Sequence, residues 1–178
     1  MPADRPAIRR IRPTDWPALR ALRLEALGDT PTAYLETLEQ ALALDDAGWQ
    51  ARASRGSEGG DSIQLLALRE DRPVGTAVCF VRDGAAWLAA VYLTPAERGR
   101  GLLAELVAPC LDWAQGRGRG VMRLEVHEDN GRAQAAYAHL GFAATGRRRP
   151  YPLDPSTQEL TMERILEAAP TVRQHRRR

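Results

Sequence analysis

The amino-acid sequence predicts a single mixed α/β domain, and three observations support this fold class. The chain has 178 residues, 44% of them apolar, which is enough to build one hydrophobic core. Runs with the two-residue period of strands alternate with runs that have the 3.6-residue period of helices. Between residues 63 and 93, three strand-like runs are separated only by short turns, which predicts an antiparallel meander.

The predicted elements follow one another as β-α-α-β-β-β-α-β-α-β-β. The predicted strands are 7–12, 63–70, 74–81, 85–93, 121–126, 142–149 and 158–166. The predicted helices are 14–28, 35–53 with a break near Asp45 and Asp46, 101–115 and 131–140. The glycine- and serine-rich segment 54–62 has almost nothing to bury, so we expect a flexible loop there, and a proline-rich loop between the last two strands.

Charge and composition exclude several classes of protein. The formal net charge is +2, but four arginines lie in residues 173–178, so the rest of the chain is slightly acidic and unlike a nucleic-acid binder. No stretch approaches the roughly 20 apolar residues of a membrane span, and the two cysteines, Cys79 and Cys110, make no disulfide framework. We expect a cytoplasmic protein that binds neither nucleic acid nor membranes. Residues 1–167 should form the domain, and 168–178 a basic, disordered tail.

The sequence RGRG occurs twice, in different predicted surroundings. The second copy, 117–120, closes a helix and precedes a strand, so its glycines suit a turn. The first copy, 98–101, follows a strand and opens a helix, where unpaired N–H groups and the helix dipole attract anions. Its glycines would let the backbone approach a phosphate closely. From this segment alone, a phosphate site and an exposed Arg-Gly turn are both open.

Two longer segments carry a family resemblance. "VYLTPAERGRGLLAELV" resembles the signature segment of the GNAT superfamily of N-acetyltransferases, whose pyrophosphate loop is Q/R-x-x-G-x-G/A. Arg98 and Gly101 match the first and fourth positions, whereas Leu103 stands where the family has Gly or Ala. Further along, "NGRAQAAYAHLGF" resembles the family's N-x-x-A-x-x-x-Y-x-x-x-G-F stretch, which places Asn130 and Tyr137 in the motif.

The resemblance implies a GNAT-like mixed, mostly antiparallel sheet of six to seven strands, flanked by about four helices. Two central parallel strands, here 87–93 and 121–126, would splay into a V that holds acetyl-CoA as co-substrate. A homodimer is a further expectation from families of this kind. The cofactor-binding residues that the resemblance implies are Val91, Tyr92, Leu93, Arg98, Gly99, Arg100, Gly101, Leu102, Leu103, Ala104, Asn130 and Tyr137.

The implied reaction is direct attack of a primary amine on the thioester. The main-chain N–H of Leu93 would donate to the oxyanion of the tetrahedral intermediate. Tyr137 matches the family's usual acid for the leaving thiolate, although a tyrosine on a helix face can also be a core residue. An acetyl-cysteine route is disfavoured because Cys79 and Cys110 both fall in apolar patterns. Three scattered histidines and two distant cysteines show no metal-ligand spacing, so no metal is expected.

The general base is the least defined part of the site. Many relatives carry a carboxylate on the strand before the pyrophosphate loop, but residues 85–93 contain no Asp, Glu or His. Glu36 is the first candidate, because its segment would cover the acceptor pocket, and Glu25 is the second. His127, at the end of the second splayed strand, and a water molecule are further alternatives.

The acceptor is expected to be a small molecule or an amino-acid-like amine. Two bulky segments, 29–40 and 147–158, would build and cover its pocket. Two alternatives remain open. One is a protein acetyltransferase that acts on an N-terminus or a lysine, and the other is a non-catalytic acyl-CoA-binding module. Leu103 and the missing strand carboxylate would fit the second alternative.

Overall fold

The computed structural model describes residues 5–166, in which seven strands and five α-helices follow one another. The strands are Ala7–Arg10 (β1), Ser62–Arg69 (β2), Arg72–Arg82 (β3), Ala85–Leu93 (β4), Val121–His127 (β5), Ala143–Tyr151 (β6) and Asp154–Ile165 (β7). The helices are Trp16–Asp29 (α1), Leu38–Ala43 (α2), Asp46–Glu58 (α3), Leu102–Gly116 (α4) and Gly131–His139 (α5). The predicted basic tail 168–178 lies outside the described residues.

One seven-stranded sheet has the order β1-β2-β3-β4-β5-β7-β6. The neighbouring strands run antiparallel, except that β4 and β5 are parallel. Ala86 pairs with Met122 and Trp87 with Arg123, at the beginning of both strands. Beyond these pairs the two strands diverge, which confirms the predicted V in the centre of a mostly antiparallel sheet.

A bulge bends β4 on the side of the V. The register between β3 and β4 shifts between Thr76 and Val78, and Ala90 on the facing strand has φ +50°. A positive φ is unfavourable for a residue with a Cβ, and bulges turn local main-chain groups out of the ladder. The ladder with β3 is therefore interrupted around Ala90 and resumes at Tyr92 and Leu93, beyond the last pair between β4 and β5.

The sheet separates two hydrophobic clusters. Helix α4 covers one face with Leu106, Val107 and Cys110, and α1 and α3 cover the other with residues such as Trp49. Successive side chains of a strand point to opposite faces of the sheet. In β2, Leu65 accordingly belongs to the first cluster and Leu66 to the second. Within residues 5–166, no helix is both long and apolar enough to cross a membrane.

The prediction of a flexible loop over 54–62 was wrong, because α3 continues to Glu58. Gly56 is buried in this helix, and a Cβ at that position would lie 2.6 Å from the Cβ of Gln64. The glycine therefore serves close packing of α3 against β2, and that tertiary contact outweighs the weak helix propensity of the segment. The predicted break near Asp45 is confirmed, since the Asp45 side chain accepts the N–H of Gly48 (2.8 Å) and caps α3.

The predicted proline-rich loop between the last two strands was also wrong. Strand β6 extends to Tyr151 and β7 begins at Asp154, so two residues form the turn. Pro150 fits within β6 because β6 lies at the edge of the sheet, where a missing N–H removes no ladder bond. The hydroxyl of buried Tyr151 donates to the main-chain oxygen of Tyr34 (2.6 Å), which fastens the hairpin to the segment between α1 and α2.

Candidate active site

A cavity of about 490 Å³ lies in the V between β4 and β5. It is lined by residues 88–93 of β4, by the end of β5, by α5 and by the first residues of the RGRG loop. The two splayed strands, the loop and the segment around Tyr34 thus face a common space. The volume falls in the range of ordinary ligand sites.

The first RGRG has the geometry of a phosphate cradle. Gly99 and Gly101 have φ of +72° and +84°, and no atom lies within 4 Å of the position of a Cβ on either residue. Helix α4 begins at Leu102, and Gly101 O accepts the N–H groups of Ala104 and Glu105. The amides before them have no carbonyl further back in the helix to bind, so an anion can take them. This turn therefore has the backbone geometry in which a phosphate can bind.

Arg98 lines the cavity but is already engaged. Its guanidinium pairs with Asp29 at the end of α1, and its Nε donates to Leu93 O (3.0 Å). The hydrogen bond from Arg98 lowers the pKa of the Asp29 carboxyl. Arg98 therefore ties α1 to the end of β4. Arg100 is exposed and has no ion-pair partner among residues 5–166, which leaves it available for a phosphate.

The three residues that follow the glycines divide between core and surface. Leu102 is buried and Ala104 is exposed. Leu103, which departs from the family motif, is partly buried, packs against the α4-side core and also lines the cavity. The Leu103 side chain therefore forms part of the cavity wall. The space beside the glycines of the preceding loop stays unobstructed.

Two residues of the second motif lie in the cavity wall. Tyr137 stands on α5 with its ring edge on Phe142 (5.9 Å between centroids), and its hydroxyl makes no hydrogen bond within the described residues. Burial, with a smaller effect of Tyr34, raises the pKa of Tyr137, so the hydroxyl stays protonated. Asn130 caps α5 with its Oδ1 on the N–H of Ala133 (3.1 Å), and its carboxamide also faces the cavity.

The main-chain N–H of Leu93 is oriented toward the V. Thr94 N–H donates to Val74 O of the adjacent strand β3 (2.9 Å). Successive N–H groups of a strand point to opposite edges, so that of Leu93 points away from β3 and toward β5. On the same strand, Val91 O accepts the hydroxyl of Tyr34 (3.4 Å), a residue whose pKa burial raises to about 12.

Glu36 lies away from this cavity, in the wall of a second one. It pairs with Arg23 (3.0 Å to Nε) and with Arg52 (2.5 Å to Nη2). Burial acts to raise the pKa of Glu36, but the two arginines outweigh it and the pKa is lowered. A carboxylate held by two guanidinium groups is a weak proton acceptor, so the geometry disfavours Glu36 as the general base.

The two other proposed bases are also engaged. Glu25 is exposed, lines neither cavity and accepts the hydroxyl of Tyr92 (3.1 Å). His127 is buried at the cavity edge, with Nδ1 3.2 Å from the N–H of Asp129 and Nε2 3.0 Å from the hydroxyl of Thr157. Both ring nitrogens of His127 therefore have partners within its own surroundings.

A carboxylate that the sequence reasoning missed lies in the V itself. Glu125 of β5 lines the cavity, and burial raises its pKa, with the attraction of Arg149 (2.6 Å) offsetting this only in part. The neighbouring charge of Glu159, which also pairs with Arg149, raises it further. The signal was present in the alternation of "VMRLEV", which puts Glu125 on the sheet face opposite the buried Leu124 and Val126.

The second cavity, of about 820 Å³, lies on the α1 and α3 side of the sheet. Four residues line both cavities, and they are Tyr34, Ala89, Ala90 and Tyr92. The two cavities therefore share a wall at the bulge of β4.

The sequence matches the family model described as the Acetyltransferase (GNAT) family over residues 16–142. The chain belongs to this family. The predicted fold and the predicted acyltransferase class are thereby confirmed, and acetyl-CoA is confirmed as the co-substrate at the level of the family. The acceptor is not defined by family membership.

Named relatives share different parts of the chain. A ribosomal protein bS18-alanine N-acetyltransferase from Haemophilus ducreyi is 27% identical over 137 residues, which cover 76% of this chain and 93% of the relative. The N-alpha-acetyltransferase RimI of Mycobacterium tuberculosis is 41% identical over 74 residues, which span 42% of this chain and less than half (45%) of the relative. The solved ribosomal-protein-alanine N-acetyltransferase of Brucella melitensis superimposes with a TM-score of 0.72 at 26% identity, covering 90% of this chain and 99% of the other.

The two cysteines lie in the hydrophobic core. Cys79 and Cys110 are both fully buried on the α4 side of the sheet. The hydrogen bond between them and their burial raise the pKa of the Cys110 thiol, so it is a poor nucleophile. Residues 5–166 contain no group of three or more His, Cys, Asp or Glu that could hold a metal ion.

Proposed function

We propose that this acetyltransferase transfers the acetyl group from acetyl-CoA to the α-amine of a polypeptide N-terminus. The observation that carries the proposal is the wall that two neighbouring cavities share at the β4 bulge, with Glu125 and Tyr137 lining the first. One cavity fits the cofactor arm below the phosphate cradle. The other is larger, about 820 Å³, and has room for several residues of an extended peptide.

The named relatives support a polypeptide acceptor. Two of them are described as acting on ribosomal-protein alanine and one as an N-alpha-acetyltransferase. Chemistry favours the same acceptor, since an α-amine has a pKa of about 8 against about 10.4 for lysine. Near neutral pH an α-amine needs less assistance to lose its proton.

The side chains divide the proton transfers of the reaction. Glu125, directly or through a water molecule, takes a proton from the attacking nitrogen. A C–N bond forms at the acetyl carbon, and the Leu93 N–H donates to the developing oxyanion. The C–S bond then breaks, and the Tyr137 hydroxyl gives its proton to the leaving sulfur. Glu125 replaces Glu36 as the base in this scheme because it lies in the V and its pKa is raised.

A small-molecule amine is the second candidate, and one observation favours it. The hydrogen bond from Tyr151 to the main chain of Tyr34 fixes the segment that carries Tyr34, a residue that lines both cavities. A wall held in this way favours a compact acceptor. The non-catalytic alternative loses its main argument, because Glu125 supplies the carboxylate that β4 lacks.

The test offers different amines to the enzyme together with acetyl-CoA. The reaction is monitored by the release of CoA, and the product is identified by mass spectrometry. A peptide that begins with alanine should be acetylated at its α-amine. The same peptide with a blocked N-terminus and an internal lysine should not react. Turnover of polyamines or free amino acids without turnover of any peptide would contradict the proposal and favour a small-molecule acceptor.

A further inference from the structure

The wall of the second cavity is positively charged. Its charged lining residues are Arg23, Glu36, Arg52 and Arg55. One carboxylate thus stands against three guanidinium groups, and the wall has an excess of two positive charges. Arginines fully matched by acids would indicate a purely structural cluster, but here the acids are too few.

The ion pairs show where the unbalanced charge lies. Glu36 binds both Arg23 and Arg52, at 3.0 and 2.5 Å, so one of these two arginines is always in excess. Arg55, one helical turn after Arg52 on α3, is exposed and has no ion-pair partner among residues 5–166. The Arg55 side chain also makes no hydrogen bond to any of residues 5–166.

The arginines are held in place before any ligand arrives. Arg23 stacks over the ring of Tyr34 (4.4 Å) and Arg52 over the ring of Trp49 (4.7 Å). Trp49 is itself fully buried behind the cavity wall, which fixes the ring under the Arg52 guanidinium. The two stacked guanidinium groups therefore present their donors from fixed positions.

The charged wall is connected to the reaction site. Tyr34, under the Arg23 guanidinium, and Ala90, at the bulge of β4, line both cavities. A ligand that binds at the arginines therefore lies against the same bulge that borders the V. Arginine presents a fork of donors that suits a carboxylate, and this geometry favours an anion there over a neutral group.

We infer that the acceptor polypeptide carries an acidic side chain within its first few residues. Arg23, Arg52 and Arg55 bind this carboxylate while the α-amine of the polypeptide reaches the V. The inference rests on the proposed function and names the class of acceptor for it. The carboxylate of a free acidic amino acid offers the same chemistry. Charge complementarity of this kind acts on binding, so it should change KM rather than kcat.

The experiment compares the peptide amides Ala-Ala-Asp-Asp-Phe and Ala-Ala-Arg-Arg-Phe, with free aspartate and glutamate in parallel. We expect kcat/KM for the acidic peptide to exceed that for the basic one by about tenfold or more, which corresponds to about 1.4 kcal/mol. Arg55→Glu should reduce this ratio at least about fivefold through KM. Arg72→Glu, an exposed arginine that lines neither cavity, is the matched control and should leave the ratio unchanged.

Equilibrium binding of both peptides to the CoA-saturated protein, measured by calorimetry, separates this inference from the proposed function. If the acidic peptide binds more tightly than the basic one, and Arg55→Glu removes this preference, the inference is supported even when neither peptide is acetylated. The absence of acetylation would then count against the proposed function alone. Turnover of free aspartate or glutamate without the peptides would keep the anionic group and assign it to a small acceptor. Equal binding of both peptides, or an equal effect of Arg55→Glu on both, would overturn the inference.

Discussion

At the scale of single residues, burial acts on the two proposed proton carriers in the same direction but with different consequences. It raises the pKa of Glu125, which makes this carboxylate a better base. It also raises the pKa of Tyr137, which keeps the hydroxyl protonated and ready to donate. A carboxylate and a phenol in one partly dry cavity can therefore serve as a base and an acid near neutral pH.

We expect Glu125→Gln to lower kcat by about 100-fold or more, the range of general base catalysis. Since the base must be unprotonated, activity falls as the pH drops through the pKa of Glu125, which lies above the ordinary value of about 4.3. The pH profile of kcat should therefore lose its acid limb in the variant. Glu25→Gln is the control, because Glu25 lies outside both cavities. A profile that keeps its acid limb in Glu125→Gln would remove Glu125 as the base.

We expect Tyr137→Phe to lower kcat about tenfold or more, because the leaving thiolate loses its proton donor. The edge contact of the ring with Phe142 is retained in this variant, so the melting temperature should change little. The dissociation constant for acetyl-CoA, measured by calorimetry, serves as the control for an intact site. Unchanged turnover in a well-folded variant would show that Tyr137 is a wall residue.

At the scale of elements, the two RGRG copies show how one tetrapeptide takes two roles. Both contain glycines with positive φ, as Gly101 at +84° and Gly118 at +67° show. Gly101 immediately precedes α4, beside the cavity, whereas Gly118 follows the end of α4 and precedes β5. The amides at the start of the helix are open to an anion, and the carbonyls at its end are not.

Gly101→Ala and Gly118→Ala form a matched pair of variants. Each should lose about 1–2 kcal/mol of stability, because alanine is strained at positive φ. Only Gly101→Ala should also weaken acetyl-CoA binding, since it disturbs the phosphate cradle. Thermal unfolding gives the first quantity and calorimetry the second. An equal loss of affinity in both variants would mean that the first copy has no special part in cofactor binding.

At the scale of the whole molecule, the splayed sheet carries two neighbouring cavities. The cavity of the V lies at the start of α4, and the second cavity lies under α1 and α3 on the other face. The divergence of β4 from β5 after Trp87 provides the gap between them. In the proposed function, the donor occupies the V and the acceptor approaches from the second cavity, along the bulge of β4.

The glycine turn before α4 was predictable from the sequence, and the ion pairs of Glu36 were not. Gly101 and Tyr137 belong to contiguous motifs, and their surroundings depend on the neighbouring residues of the same segment. Glu36 lies in the segment before α2, and its arginine partners come from α1 and α3, so the sequence alone did not show how it is engaged. The helix at 54–58 was missed for a related reason, since Gly56 is explained only by its contact with β2.

The sequence by itself determined the order of the elements, the break before α3 and the glycine turn before α4, because these depend on periodicity and on local backbone preferences. The tertiary structure alone decided which carboxylate faces the V and which is neutralised. Glu125 pairs with Arg149 from β6, and Glu36 with Arg52 from α3. The pKa of a carboxyl depends on its burial and its charged neighbours, and folding sets both by joining segments that are distant in the chain.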